Sequence, residues 1–158
     1  MPQSWKKGEV VVLSEPTRPP YLGSIDRNGA VSKLFDPNPQ VAEWAMGVTE
    51  RVRWSNEEAD VDGLLHRPHG ATGPTPLLVM PHGGPDGVSA LSWRSWVRYF
   101  TGLGYSVFQP NYRGGVNYGI EHYAANRGRL GEIEFMDIEA GVDHLIAEGL
   151  VDPEQLYY

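Results

Sequence analysis

The chain contains no cysteine, which excludes disulfides, thiolate nucleophiles and thiolate metal sites together. Cations are also scarce. Thirteen Lys and Arg stand against twenty Asp and Glu, a net charge of −7, so there is no basic surface of the kind that tracks phosphates and no expectation of a nucleic-acid partner. No apolar run is long enough to span a bilayer, and the two lysines of "MPQSWKKGEV" are followed by no apolar stretch of signal-peptide length. With Met1 taken as the start, a soluble cytoplasmic protein with no membrane partner is expected. Two further absences concern ligands. Gly114, Gly115 and Gly119 are followed by no Lys-Ser/Thr pair, which argues against a phosphate loop, and His66 and His69 flank Arg67-Pro68 without any accompanying carboxylate motif, which argues against a metal site. Neither a metal nor a cofactor is expected.

What is present is enough for one core and an appendage: 158 residues, 41% of them hydrophobic. "EVVVL", "PPYLGSID" and "AVSKLF" read as short antiparallel strands, the last two joined by Arg27-Asn28-Gly29, where Asn-Gly favours a hairpin turn. "DPNPQ" then reads as a linker ending a first section at about residue 40. A hairpin of this size cannot bury a core alone, so the section is expected to be the end of a larger β structure or an arm. Beyond it, "TERVRWSN" and "ADVDGLLHRP" alternate as an edge hairpin, while "LLVM", Leu77 to Met80, is apolar without alternation, as for a strand covered on both faces. Trp93, Trp96, Val97, Phe100 and Leu103 are spaced as one helix face, stopped by Gly104. "YSVFQP" is another strand. Phe135, Ile138, Val142, Leu145 and Ile146 mark the apolar face of a last helix, with Asp137, His144 and Glu148 assigned to its polar face and Gly149 as its stop; "EQLYY" begins one more strand. This alternation predicts an α/β fold, a mostly parallel sheet with flanking helices, whose ligands gather beyond the carboxyl ends of the strands.

At that edge stands "PHGGP", Pro81 to Pro85. Gly83 and Gly84 lack Cβ and let a reacting carbonyl approach their N–H groups, which is what an oxyanion hole requires, although a tight turn with no chemistry uses glycine in the same way. The HGG pattern after an apolar strand and before a Trp-rich segment fits the oxyanion loop of an α/β-hydrolase better than either feature alone.

"PLLVMPHGGP", "GLGYSVFQPNYRGGVNYG" and "GRLGEIEFMDIEAGVDHLIAEGLVDPEQL", in this order, resemble the first half of the catalytic domain of the prolyl oligopeptidase family of serine peptidases, in its acylaminoacyl-peptidase-like branch. The resemblance runs from about Val48 to Tyr158. It implies that residues 1–40 are the end of a β-propeller and a linker, and that residues 41–158 are the amino-terminal half of an α/β-hydrolase peptidase domain. It further implies a peptide or N-acylated peptide as substrate, hydrolysed through an acyl-enzyme, and leaves open a homo-oligomer of the full-length protein. One branch of the family supplies an oxyanion donor as a tyrosine hydroxyl where this chain has His82, so the donor here is expected to be a backbone N–H, Gly84 first and Gly83 next. His82 is expected to shape the loop beside the substrate, not to act as triad base, because the family's catalytic histidine lies near the far end of the domain.

Arg113, in "NYRGG", could hold substrate carbonyls or pair with Glu134 or Asp137; the structural pairing is preferred. Tyr118 and Tyr112 are candidates to line a pocket. Glu57 and Glu58 resemble the glutamate pair of dipeptidyl peptidases, but theirs belongs to the propeller, and a solvated loop is expected here. No G-x-S-x-G occurs: Ser89 and Ser106 each lack the second glycine, and "EQLYY" reads as the strand that would precede the nucleophile turn. The triad is therefore expected to be absent from this chain, which is expected to be inactive by itself. Two other classes stay open, a carboxylesterase-like or dienelactone-hydrolase-like enzyme without a propeller, and a non-catalytic binding module.

Overall fold

The computed structural model describes residues 9–56, 59–84 and 86–158, so the expectations for the amino-terminal lysines, for Glu57 and Glu58 and for Pro85 lie outside the described residues. The chain divides into two compact units, one of residues 1–45 with 91–94 and one of residues 46–90 with 95–158.

The first unit is a three-stranded antiparallel sheet in sequential order, β1 (Glu9–Glu15), β2 (Arg18–Ile25) and β3 (Val31–Phe35), followed by a 3-10 turn, Pro39–Glu43. The turn between β2 and β3 forms where Asn-Gly places it. Asp26 Oδ1 accepts the Asn28 and Ala30 amides at 2.8 and 2.9 Å, and Gly29 takes the positive φ the turn needs. Trp93 belongs to this unit, its amide donating to Ser14 Oγ at 3.0 Å. It is thus not part of the helix to which its spacing assigned it.

The second unit is a five-stranded sheet in the order β4 (Val48–Ser55), β5 (Asp60–Arg67), β7 (Ser106–Asn111), β6 (Thr75–Val79) and β8 (Val151–Tyr157). The β4–β5 hairpin pairs antiparallel with β7, whereas β7, β6 and β8 run parallel, so the sheet is mixed and its parallel part is confined to three strands. One face carries the apolar core: Trp54, Leu65, Leu77, Val79 and Phe108 meet Val142 and Leu145 of α3 (Ile133–Ala147). Trp54 and Phe108 pack edge to face at 5.3 Å, and burying each such side chain stabilises the fold by about 1.5–3 kcal/mol.

The first long helix departs in part from its sequence spacing, and the last keeps to it except at Phe135. In α1 (Ser95–Gly102) the buried residues are Val97, Arg98 and Thr101, while Trp96 and Leu103 lie toward solvent. In α3 Val142 and Leu145 are buried and Ile138 and Ile146 pack against the core, as their spacing predicts, joined by Ile133, Asp137 and Gly141, whereas Phe135 is exposed. Asp137, read as polar-face, is fully buried because an arginine from another segment meets it there. A short helix, α2 (Ile120–Ala124), has no counterpart in the sequence reading. None of the described helices is long and apolar enough to cross a membrane.

Candidate active site

Parallel pairing of β6 and β7 brings the loops that follow them side by side. The loop after β6 is held by three attachments, one from the end of β7 and two from the segment after it. The Tyr112 hydroxyl donates to the His82 carbonyl, and the two rings stack at 4.3 Å. The Val116 amide donates to the Gly87 carbonyl at 3.0 Å. Asn111, the last residue of β7, grips Ser89 by its backbone, accepting the Ser89 amide at 2.7 Å and donating to the Ser89 carbonyl at 3.2 Å, much as a neighbouring strand would.

Between these attachments lie Gly83 and Gly84, both exposed, and neither amide is hydrogen-bonded to any of the described residues. The two glycines differ in what they contribute. Gly84 has φ +135°, and a Cβ there would stand 2.6 Å from the Asp86 nitrogen, so the backbone course itself calls for glycine. At Gly83 an added Cβ would meet nothing within 4 Å; the open side is where a ligand could approach.

His82 is wedged against the loop. Its Nε2 is buried without a partner among the described residues, and Nδ1 stands 3.5 Å from the Gly83 carbonyl. Burial lowers its pKa, and the nearby His122 acts in the same direction, so the ring is neutral at pH 7. His122 is likewise lowered by burial, and its Nε2 donates to the Tyr112 carbonyl at 3.0 Å.

The structure places Arg113 on Asp137, the second of the two partnerships considered from the sequence. Its Nη2 and Nε reach Asp137 Oδ1 at 2.7 and 3.1 Å, its Nε reaches Oδ2 at 3.0 Å, and its own amide donates to Oδ2 at 2.8 Å. The guanidinium is buried, so of the two roles open from the sequence the structure has the preferred pairing and not a contact with substrate carbonyls, and it fixes α3 to the segment after β7. Asn56 adds a donor to Asp137 Oδ1.

Tyr118 has its hydroxyl committed, donating to Asp62 Oδ1 at 2.5 Å and accepting Asn111 Nδ2 at 3.0 Å. Asp62 in turn holds Arg51 through its other oxygen. Burial is the main cause that raises the Tyr118 pKa, with Asp62 adding to it. Its ring stacks on His122 at 4.7 Å, and the pair lines a cleft of about 500 Å³ together with Arg51, Arg53, Trp54 and Asp60. Tyr112 does not line that cleft; it turns onto His82.

The two serines are structural. Ser106 is buried in β7 with its Oγ 2.6 Å from Thr75 Oγ1, and Ser89 Oγ is buried without a partner among the described residues. His69 Nδ1 donates to the Met46 carbonyl at 3.0 Å, and among the described residues no group of three His, Asp or Glu could hold a metal ion. The residues that sequence reasoning missed are Asn111 and Asp62, whose roles are visible only once β5, β7 and the two loops are side by side.

Residues 91–158 match the model of the prolyl oligopeptidase family. This chain carries a prolyl oligopeptidase family sequence. It is 36% identical over 123 residues to an acylamino-acid-releasing enzyme of Arabidopsis thaliana, covering 78% of the chain and 15% of that enzyme. It is 30% identical over 152 residues to the uncharacterized peptidase YuxL of Bacillus subtilis (strain 168), covering 93% of the chain and 23% of that protein. The fold is shared with the Pyrococcus horikoshii acylaminoacyl peptidase at a TM-score of 0.84 and 24% identity, over 96% of the chain and 25% of the peptidase. The chain therefore spans less than a quarter of the curated relatives it matches. The fold is α/β, part of an α/β-hydrolase sheet preceded by propeller-like antiparallel strands.

Proposed function

We propose that this chain supplies the oxyanion-stabilising part of a serine peptidase of the oligopeptidase or acylaminoacyl-peptidase type, acting on peptides or N-acylated peptides. The observation that carries the reading is the pair of amides of Gly83 and Gly84, without a hydrogen-bond partner among the described residues, on a loop fastened on both sides at the carboxyl edge of the parallel strands. In the proposed chemistry a serine attacks the substrate carbonyl, whose oxygen gains the electron pair of the former π bond. Gly84 N–H, with Gly83 beside it and the amide after the nucleophile, stabilises that oxygen until its electron pair re-forms the π bond, the C–N bond breaks and the amine leaves with the serine's proton, passed on by a general base from outside this chain, so that an acyl-enzyme remains. His82 shapes the loop, Tyr118 borders the cleft beside it, and Arg113 acts from behind by holding α3. Residues 1–40 are proposed as the end of a β-propeller with its linker, and 41–158 as the amino-terminal half of the hydrolase domain. A cytoplasmic location belongs to the same reading.

The test uses the natural gene product that carries these residues. Rapid labelling by a fluorophosphonate and hydrolysis of an N-acetyl-amino-acid anilide are expected. Gly84→Ala keeps the N–H but sets a Cβ 2.6 Å from the Asp86 nitrogen, so the loop must shift and take the amide off its line, and kcat is expected to fall by up to about 10²-fold, the usual loss for one oxyanion donor. Gly83→Ala, whose methyl meets only open space, should fold as the parent does and still slow turnover by crowding the approach. Turnover indifferent to the fluorophosphonate would overturn the assignment. The 158-residue polypeptide has no G-x-S-x-G and should show no turnover alone.

A further inference from the structure

We propose that Arg98 forms a second, buried site for a small anion, a halide or a monocarboxylate, on the α1 face of the sheet, separate from the oxyanion loop. Adjacent residues of a strand point to opposite faces, so while Leu65 of β5 enters the apolar core, His66 faces α1. There it meets Arg98, which is 8% exposed.

A guanidinium has five N–H donors and no acceptor. Arg98 Nη2 uses two of them, on Thr49 Oγ1 at 2.9 Å and on His66 Nδ1 at 2.7 Å. The other three belong to Nε and Nη1, both buried and both without an acceptor among the described residues. No carboxylate of the described residues pairs with this arginine. His66 offers no countercharge. Its Nε2 donates to Gln109 Oε1 at 2.8 Å, so Nδ1 is the accepting nitrogen and the ring is neutral. Thr49, His66, Gln109 and Arg98 thus form a buried group of net charge +1 with three unused donors.

A buried charge with unsatisfied donors is among the costliest arrangements a fold can keep. An anion removes both costs together, supplying an acceptor and a countercharge. The single positive charge favours a monovalent ion, and enclosure between α1 and the β5–β7 pair favours a small one.

The experiment uses the 158-residue chain labelled with ¹⁵N, in a buffer whose balancing anion is a bulky sulfonate. Formate and, separately, chloride are titrated at constant ionic strength. The Arg98 Nε–H resonance is followed, assigned by its loss in Arg98→Lys, together with the thermal midpoint. The expected result is a saturable displacement of that resonance, with a rise of a few degrees in the midpoint, while the Arg113 Nε–H resonance stays in place. Arg98→Met should fold and lose the saturable rise. A response to both anions that is linear in concentration, or one that Arg98→Met shares, would overturn the proposal.

Discussion

Two arginines are buried in the second unit, one on each face of the same sheet. Arg113 meets Asp137 through three side-chain contacts of 2.7–3.1 Å, and that carboxylate also accepts the Arg113 amide. Arg98 meets a hydroxyl and a neutral imidazole. Both head groups have left water, yet only the first has an opposite charge beside it among the described residues. On the α3 face the ion pair completes an otherwise apolar core, so the pair acts as a fixed pin between α3 and the segment whose residues grip the oxyanion loop. On the α1 face the contacts are polar and incompletely matched. The difference assigns different tasks to chemically identical side chains: one positions, the other binds.

The largest effect expected from this comparison follows from removing the pin. Asp137→Ala leaves Arg113 buried without its carboxylate, and the loss should be about 3–5 kcal/mol, read as a lower urea midpoint of the 158-residue chain. Replacing both partners, Arg113→Met with Asp137→Leu, should recover much of that loss, because the desolvation cost of the two charges disappears with them. If the single and double replacements cost the same, the ion pair is not what holds α3.

The second effect belongs to the α1 face and depends on pH. His66 is 1% exposed, and its pKa is lowered to about 4, first by burial and then by the charge of Arg98, with Gln109 acting in the opposite direction. In the unfolded chain the ring titrates at its ordinary value near 6.5. Between those two values the unfolded state binds the proton and the folded state does not. His66 therefore contributes stability that is fully present above pH 6.5 and is lost as the pH falls toward 4, a total of about 3 kcal/mol. His66→Gln should flatten the fall in stability between pH 6.5 and 4 relative to the parent. Equal slopes for the two proteins would remove His66 from this account and with it the neutral imidazole that leaves Arg98 without a countercharge.

These two faces also show what could be read without coordinates. The strands were legible because β-branched runs broken by Gly, Pro and Asn-Gly impose their own boundaries; β2, β3, β5 and β7 fall where those signals lie. The place of the HGG loop, directly after β6, was legible because the apolar run of that strand ends there. The face of α3 was legible apart from Phe135, that of α1 only in part. Trp96 and Leu103 have the right spacing for a core face, but the shape of the sheet beneath α1 accepts Val97, Arg98 and Thr101 instead. Asp137 reads as a polar-face residue because nothing within its own helix shows that Arg113, 24 positions earlier, arrives with a matching charge. Asn111 and Asp62 escaped for the same reason, since a side chain that imitates a strand can be recognised only when the strand it replaces is known.

The smallest effect serves as the reference for the other two. Arg129 and Glu132 also form a guanidinium–carboxylate pair, at the same 2.7 Å as the shortest contact between Arg113 and Asp137, but their side chains are 41% and 59% exposed against 9% and 0%. In water the Coulomb attraction is screened, and ordering two long side chains offsets what remains. Arg129→Ala should therefore move the urea midpoint by no more than the equivalent of about 0.5 kcal/mol. That small shift beside a large one for Asp137→Ala would mean that exclusion of water, and not contact distance, sets the worth of the pair. A large loss at Arg129 would reverse the inference and remove the reason for treating an unmatched guanidinium beneath α1 as a site awaiting an anion.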